Sequence, residues 1–592
     1  MFLQLKQAKC QKKKKIRKPL LRSKEGYDYC MGKTRRKIPT GKKKTVRNAA
    51  LKQSEIAPNF KKSSENPFQD ALARKDYVKA KSILESMDDI DEWRKLNLEG
   101  LITISQGDMV ATERILLRAI RFPDCGVKPY KNLVSVYSQM GRLRDALPLA
   151  EKAHKMEPEN LEIGLLFINC LLDLARADDV IAVADKLLKK NENHRQLMLA
   201  KASALRAGFR PEESTKLTDR ILELYPNEPT AMRMKADILG DTNSVAAVEL
   251  YDKAADVVMK TRGKPDIAMM WNSSLHLLRT RDFKRGWECW ELGFAKEVGT
   301  MGRNLIPQVK VLPRADQNDH FDPEKWTLVV VEQGIGDQVL FLSVMEEAIQ
   351  EFKNIFFIIE ARMKTIIERS FPGLQVGLPG LLESWQQNSL QKNGYIPLGS
   401  LPGRYRQSVE SFTNYKKPFL QVNGDLYVQY QQQLKNLAKG RPIVGISWNG
   451  GYWAAQKRAK GLAIENWLPI FEKGALCVNL QYGDTSKEEQ FIKEKGFEFV
   501  TFPKVDYKKN LDDWLAIAAA CDGIISVSTA LVHFAGACGQ KVGIVMPEPQ
   551  GPWILGIEDT WSIAYPNVAI FRRNREETVR DLVERVAGVI VK

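Results

Sequence analysis

Histidine is scarce in this chain, and cysteine is never clustered. Five histidines occur in 592 residues. The eight cysteines, at 10, 30, 125, 170, 289, 477, 521 and 538, form no CxxC pair and no Cys/His metal spacing. This argues against a histidine-built metal site and against a disulfide framework, and scattered thiols favour a cytosolic compartment. No apolar run approaches the roughly 20 residues of a membrane span. The N-terminus also lacks the apolar segment of a signal peptide. Acid is nearly missing from the first 50 residues, which hold 18 of the 90 Lys/Arg against only Glu25 and Asp28. The remainder is almost balanced, so the net charge of +18 belongs to a tail.

That tail, residues 1–65, is expected to be disordered and able to bind anionic surfaces nonspecifically, whether nucleic acid, acidic protein or lipid. A targeting or nucleic-acid role is the alternative, although no aromatics are interleaved as single-strand binding requires. The chain as a whole, 44% hydrophobic and 27% charged, is ordinary for a globular protein of two to four domains. The expected setting is the cytoplasm, with the tail able to bring the protein to a membrane surface.

From 66 to 300 the pattern is helical. Gly107 and Gly141 lie 34 residues apart, the next step reaches Ala175, and Gly208 falls one short of the step after it. Pro158, Glu192 and Pro226 repeat at the same interval. Helix, small-residue turn, helix and a Pro/Asn-rich break make a unit that resembles the tetratricopeptide repeat. Each helix pair has an apolar face it cannot bury alone, so neighbours stack into a curved solenoid. Such an array offers a concave surface to a protein partner, or serves as a rigid spacer. Phe283, Trp287 and Trp290 share helical spacing and read as core. The polar segment 301–325 reads as a linker, with His320 exposed.

After 325 short apolar strands alternate with helices, the signature of parallel sheets covered on both faces. The polar stretch 422–442 divides this region into a lobe over 326–430 and another over 431–592. In such sheets ligands bind beyond the carboxyl ends of the strands, where helix N-termini present free amides. Three stretches have the right composition. In "EQGIGDQVLF", Gly334 and Gly336 permit close backbone approach, and Asp337 either caps the helix or takes a proton from an acceptor hydroxyl. In "DGIISVSTALVHFAGACG", Ser528 and Thr529 precede a small-residue helix that contains His533. This start suits a diphosphate, or is an ordinary capped turn. In "GISWNGGYWAAQKRAKGLAIENW" the loop cations Lys457, Arg458 and Lys460 suit phosphate, or are solvated charge. Asp89-Ile90-Asp91, the one DxD of the helical region, reads as surface charge rather than a metal motif.

These stretches, with "LQYGD" and "YPNVAIFRR", occur in an order that resembles glycosyltransferases of the ADP-heptose:lipopolysaccharide heptosyltransferase family, in the form that follows tetratricopeptide repeats. The likeness covers roughly 325–575. It implies a GT-B fold of two Rossmann-like lobes and an inverting, metal-independent displacement at an anomeric carbon, with no cofactor beyond a nucleotide-diphosphate sugar as donor. It also implies Asp337 as base and Lys460, seven residues before Trp467, as phosphate ligand. Ser528, Thr529 and His533 fall on the nucleotide-side loop, where Ser528 replaces the family's usual Asp and removes a carboxylate. The resulting expectation is an all-α solenoid followed by α/β GT-B. Its activity would be glycosyl transfer to a hydroxyl on a glycan, a lipid-linked saccharide or a protein held by the repeats. The alternative is a repeat scaffold or binding protein whose GT-B part is inactive.

Overall fold

The computed structural model describes residues 67–591, apart from 209, 241, 300–301, 311, 318–319, 415–416, 451–460, 548–550 and 575. The basic tail therefore lies outside the described residues. Helices Pro67–Ala73 through Phe283–Glu291 form seven antiparallel pairs. The period is visible in the backbone. Gly107, Gly141 and Ala175, at the turns within successive pairs, have φ of 83°, 72° and 55°. That left-handed conformation ends a helix by closing its last carbonyls, and it favours glycine. Gly208 departs from the series with φ −82°. Between pairs the same turn recurs every 34 residues: Asn160, His194 and Glu228 donate their N–H groups to the carbonyls of Glu157, Asn191 and Tyr225 at 3.1, 3.1 and 3.0 Å. The apolar faces meet in small clusters that each involve neighbouring pairs, for example Ile168, Leu171, Val180 and Leu205. Asp89 and Asp91 are exposed, and Asp91 pairs with Arg94.

Two parallel sheets follow. The first contains β1 (Trp326–Val330), β2 (Ile355–Ile358), β3 (Gln375–Gly377) and β4 (Lys392–Pro397), in the order β3-β2-β1-β4. The second contains β5 (Ile443–Ser447), β6 (Leu476–Asn479), β7 (Phe499–Val500), β8 (Gly523–Ser526), β9 (Val542–Met546) and β10 (Val568–Arg572). Its order is β10-β9-β8-β5-β6-β7, the doubly wound arrangement, and its direction of winding reverses between β5 and β8. The apolar central strands β5, β8 and β9 of the second sheet are buried throughout, as a sheet covered on both faces requires.

Two expected boundaries move. The segment 301–325 is a packed strap, not a linker: Leu305, Val309 and Ala315 are buried, and Arg303 has a fully buried side chain. Its polarity misled because the charged Arg303 is buried too, satisfied by pairing with Glu291 and Glu332. The division at 430/431 falls inside helix Gly424–Ala438, which packs on helix Leu511–Ala519 and whose Tyr430 hydroxyl donates to Asp513 at 2.7 Å. This helix belongs with the second sheet.

The last helical pair touches both lobes. Trp287 and Trp290 donate their indole N–H groups to the carbonyls of Arg406 and Gly399, each at 2.8 Å. Arg281 reaches the carbonyls of Trp553 and Ile554 and pairs with Asp559. Phe283, Trp287 and Trp290 are thus core residues, in a single cluster that runs from the solenoid through both lobes.

Candidate functional site

At the carboxyl end of β1 the chain turns through Glu332 and Gln333 into helix Ile335–Phe341. The Glu332 carboxylate is buried, accepting the Gly399 N–H at 3.1 Å and the Arg303 guanidinium at 2.6 Å. Arg303 also binds Glu291 at 2.8 Å and the Ser400 hydroxyl at 3.0 Å. This buried network locks the ends of β1 and β4 to the strap and to the solenoid. Gly334 occupies the cap position with no side-chain cap, and Asp337 is the third helical residue, so Asp337 is not the N-cap. Its exposed carboxylate still lies in the first turn, where negative charge opposes the helix dipole favourably.

Gly336 is a point of close approach between the lobes. A Cβ there would lie 3.2 Å from His533 Cδ2 and 3.4 Å from Ala530 Cα, both on helix Ala530–Ala537 of the second lobe. Thr529, not Ser528, holds the cap position of that helix, yet its hydroxyl makes no cap bond and lies 3.3 Å from the Ser526 hydroxyl. Ser528 is half-buried beside it. The loop after β5 comes alongside: a Cβ at Gly450 would meet Thr529 Cγ2 at 2.8 Å. The uncapped helix N-terminus, the β5 loop and the Gly-Asp turn therefore converge at the β5/β8 switch point. Lys460, with Lys457 and Arg458, lies outside the described residues; Trp467 is buried in the core of the second lobe.

Beside the switch point a cavity of about 100 Å³ is lined by Trp448, Asn449, Gly450, Gln481, Tyr482 and Asp484, among others. The Gln481 side-chain oxygen fixes its floor by accepting from Ser447 Oγ at 3.0 Å and from the Asn449 N–H at 2.9 Å. The Asn449 side-chain oxygen is buried and has no hydrogen-bond partner among the described residues. Asn449, Gln481 and Glu332 were not selected from sequence, although each lies in or beside a quoted stretch. Tyr565 was missed too: its hydroxyl meets His533 Nδ1 at 3.1 Å. Elsewhere the lobes join through Thr365 to Asp512 at 2.7 Å and Arg362 to the Lys508 carbonyl at 2.8 Å.

Residues 137–205 match the tetratricopeptide-repeat family model. Protein FlbA of Caulobacter vibrioides is 26% identical over 552 residues, covering 88% of each chain, so the likeness spans both solenoid and lobes. Among solved structures, a tetratricopeptide repeat protein from Parabacteroides merdae superposes at a TM-score of 0.32 and 17% identity, over 39% of this chain and 92% of its own. The C-terminal part of a repeat protein from Cytophaga hutchinsonii gives 0.31 and 11%, over 38% and 92%. Superpositions this partial carry no argument. The chain has a helical, tetratricopeptide-like solenoid, matched by the family model over 137–205, followed by α/β lobes with parallel sheets. Among the described residues no helix is long and apolar enough to cross a membrane.

Proposed function

We propose that the protein is a tetratricopeptide scaffold that holds a protein partner and carries a GT-B-like module able to bind a nucleotide diphosphate between its lobes. The solenoid supports the scaffold half: seven stacked pairs present an extended surface, and repeat arrays of this class hold protein partners there. One observation carries the nucleotide half. In the all-parallel order β10-β9-β8-β5-β6-β7 the β5 loop and the uncapped helix after β8 meet at the switch point, where amides and dipole suit an anion. Calorimetric titration of the full chain with ADP, GDP, UDP and CDP tests this half. Binding of one at micromolar strength, weakened at least tenfold by Gly450→Val, is expected. No binding of any would reject it.

A second reading is sugar transfer from a nucleotide-diphosphate donor to a hydroxyl, with Asp337 as general base. Its support is the exposed Asp337 carboxylate, one residue after Gly336, whose backbone approaches the helix start on the other lobe. Ser528 in place of an acid weighs toward the scaffold. Donor hydrolysis against a panel of nucleotide sugars separates the two. If Asp337 is the base, Asp337→Asn lowers turnover about 10²- to 10⁴-fold with nucleotide affinity little changed. Nucleotide binding without turnover leaves the scaffold reading alone.

A further inference from the structure

The start of helix Ala530–Ala537 is crowded from two directions. A Cβ at Gly336, on the first lobe, would lie 3.4 Å from Ala530 Cα, and one at Gly450 would meet Thr529 Cγ2 at 2.8 Å. The Gly336 backbone therefore rests against the first residue of the helix, where an anion must come to reach the free amides. The cavity alongside holds about 100 Å³, whereas small-molecule sites occupy roughly 300–1,000 Å³. The lobes stand too close together to receive a nucleotide diphosphate. A separate group of contacts keeps them so. Asp512, the second residue of helix Leu511–Ala519 on the second lobe, accepts the Thr365 hydroxyl at 2.7 Å and pairs with Arg369. Thr365 and Arg369 both lie on helix Lys364–Ser370 of the first lobe. Arg369 also donates to the Gln421 carbonyl at 2.9 Å, and Arg362 to the Lys508 carbonyl at 2.8 Å. The Arg369 and Asp512 side chains are 23% and 21% exposed, so water can take the place of either partner and the contact is reversible.

We propose that Asp512 is a clasp that holds the lobes closed over the anion site, so that the ligand-free protein is self-occluded and a nucleotide diphosphate enters only when the clasp opens. The clasp rests on the contacts alone; the occlusion rests on the nucleotide reading. A closed state that excludes the ligand lowers the apparent affinity by the fraction of molecules that are open. Weakening the clasp therefore tightens binding, the reverse of what the loss of a binding residue does.

Hydrogen exchange of the ligand-free full chain reads the clasp, and calorimetric titration with ADP, GDP, UDP and CDP reads the occlusion. In Asp512→Ala, peptides spanning 334–337 and 529–533 should exchange several-fold faster than in the wild type, with the melting temperature unchanged to within a few degrees. Whichever nucleotide binds the wild type should bind this variant about 3- to 10-fold tighter, the population shift expected from the loss of one interlobe ion pair. Thr365→Val, which keeps the side-chain shape and removes one donor, should move both readings in the same direction by less, and it decides the matter if Asp512→Ala does not fold. Unaltered exchange in the folded variants overturns the clasp. Faster exchange with equal or weaker nucleotide binding overturns the occlusion. Faster exchange in a protein that binds none of the four nucleotides, wild type or variant, upholds the clasp and rejects the nucleotide reading instead.

Discussion

The solenoid and the lobes are built on opposite plans. Repeat cores are small and local, each shared by neighbouring pairs, and many of the ion pairs between their helices are exposed, such as Lys190 with Glu159. Exposed pairs of this kind contribute about 0–1 kcal/mol each. The lobes share one apolar cluster, and their principal ion pair, Arg303 with Glu332, is buried. Breaking a buried pair costs about 3–5 kcal/mol. Stability in the first region is a sum of nearest-neighbour terms, whereas in the second it is collective. The last helical pair belongs to both, since Trp287 and Trp290 sit in the lobes' cluster while Met269 of the same pair packs into the cluster of the preceding pair.

The largest expected effect falls at that seam. Trp290 is 7% exposed, packs edge-on to Phe341 and carries the Arg303 guanidinium over its ring. Trp290→Ala should cost about 3–5 kcal/mol. Scanning calorimetry should then resolve separate transitions for solenoid and lobes; a single transition at the wild-type temperature would break the contrast drawn above.

A smaller effect is expected from pH, confined to the solenoid. Burial, then the neighbouring Arg279, lower the pKa of His276 to about 4. Between that value and about 6.5 the unfolded chain binds a proton that the folded chain refuses, so stability is lost as pH falls through this window. The loss has an upper bound on the order of 3 kcal/mol. Hydrogen exchange at pH 7 and pH 5 should show helix Ile267–Arg279 loosening at the lower pH, and His276→Gln should flatten the dependence. Equal loosening throughout the lobes would count against local stability in the repeats.

The smallest change should be a gain. Ala175 adopts the left-handed turn that glycine fills at 107 and 141. Ala175→Gly relieves about 1–2 kcal/mol of conformational strain against an entropic cost of about 0.5–1 kcal/mol. A rise of a degree or two in the melting temperature of the solenoid is the expected reading, and a fall would show that Ala175 sits there unstrained.

The legible parts of the sequence were those written in local pattern. The 34-residue period announced the pairs, and the turns at 107, 141 and 175 have the backbone that the period demands. Apolar strands alternating with helices announced the two sheets, though strand order was not readable. What escaped was written in contacts between distant residues. Arg303 and Glu332 are 29 residues apart and charged, so hydropathy assigns both to the surface, yet pairing buries them. His533 and Tyr565 are 32 apart, on different elements. Of the two readings of Asp337, the cap rested on acids often filling that position; Gly334 fills it instead, three residues earlier.

The attachments of the last repeat have a mechanical meaning. Two indole groups grip carbonyls of the first lobe, and one guanidinium grips carbonyls of the second. The repeat is therefore a brace between the two lobes, and a change in the angle between them would load one grip or the other. Loads run both ways through a brace: a cargo that flexes the solenoid leans on the cleft, and a ligand that draws the lobes together tugs on the repeats by the same free energy.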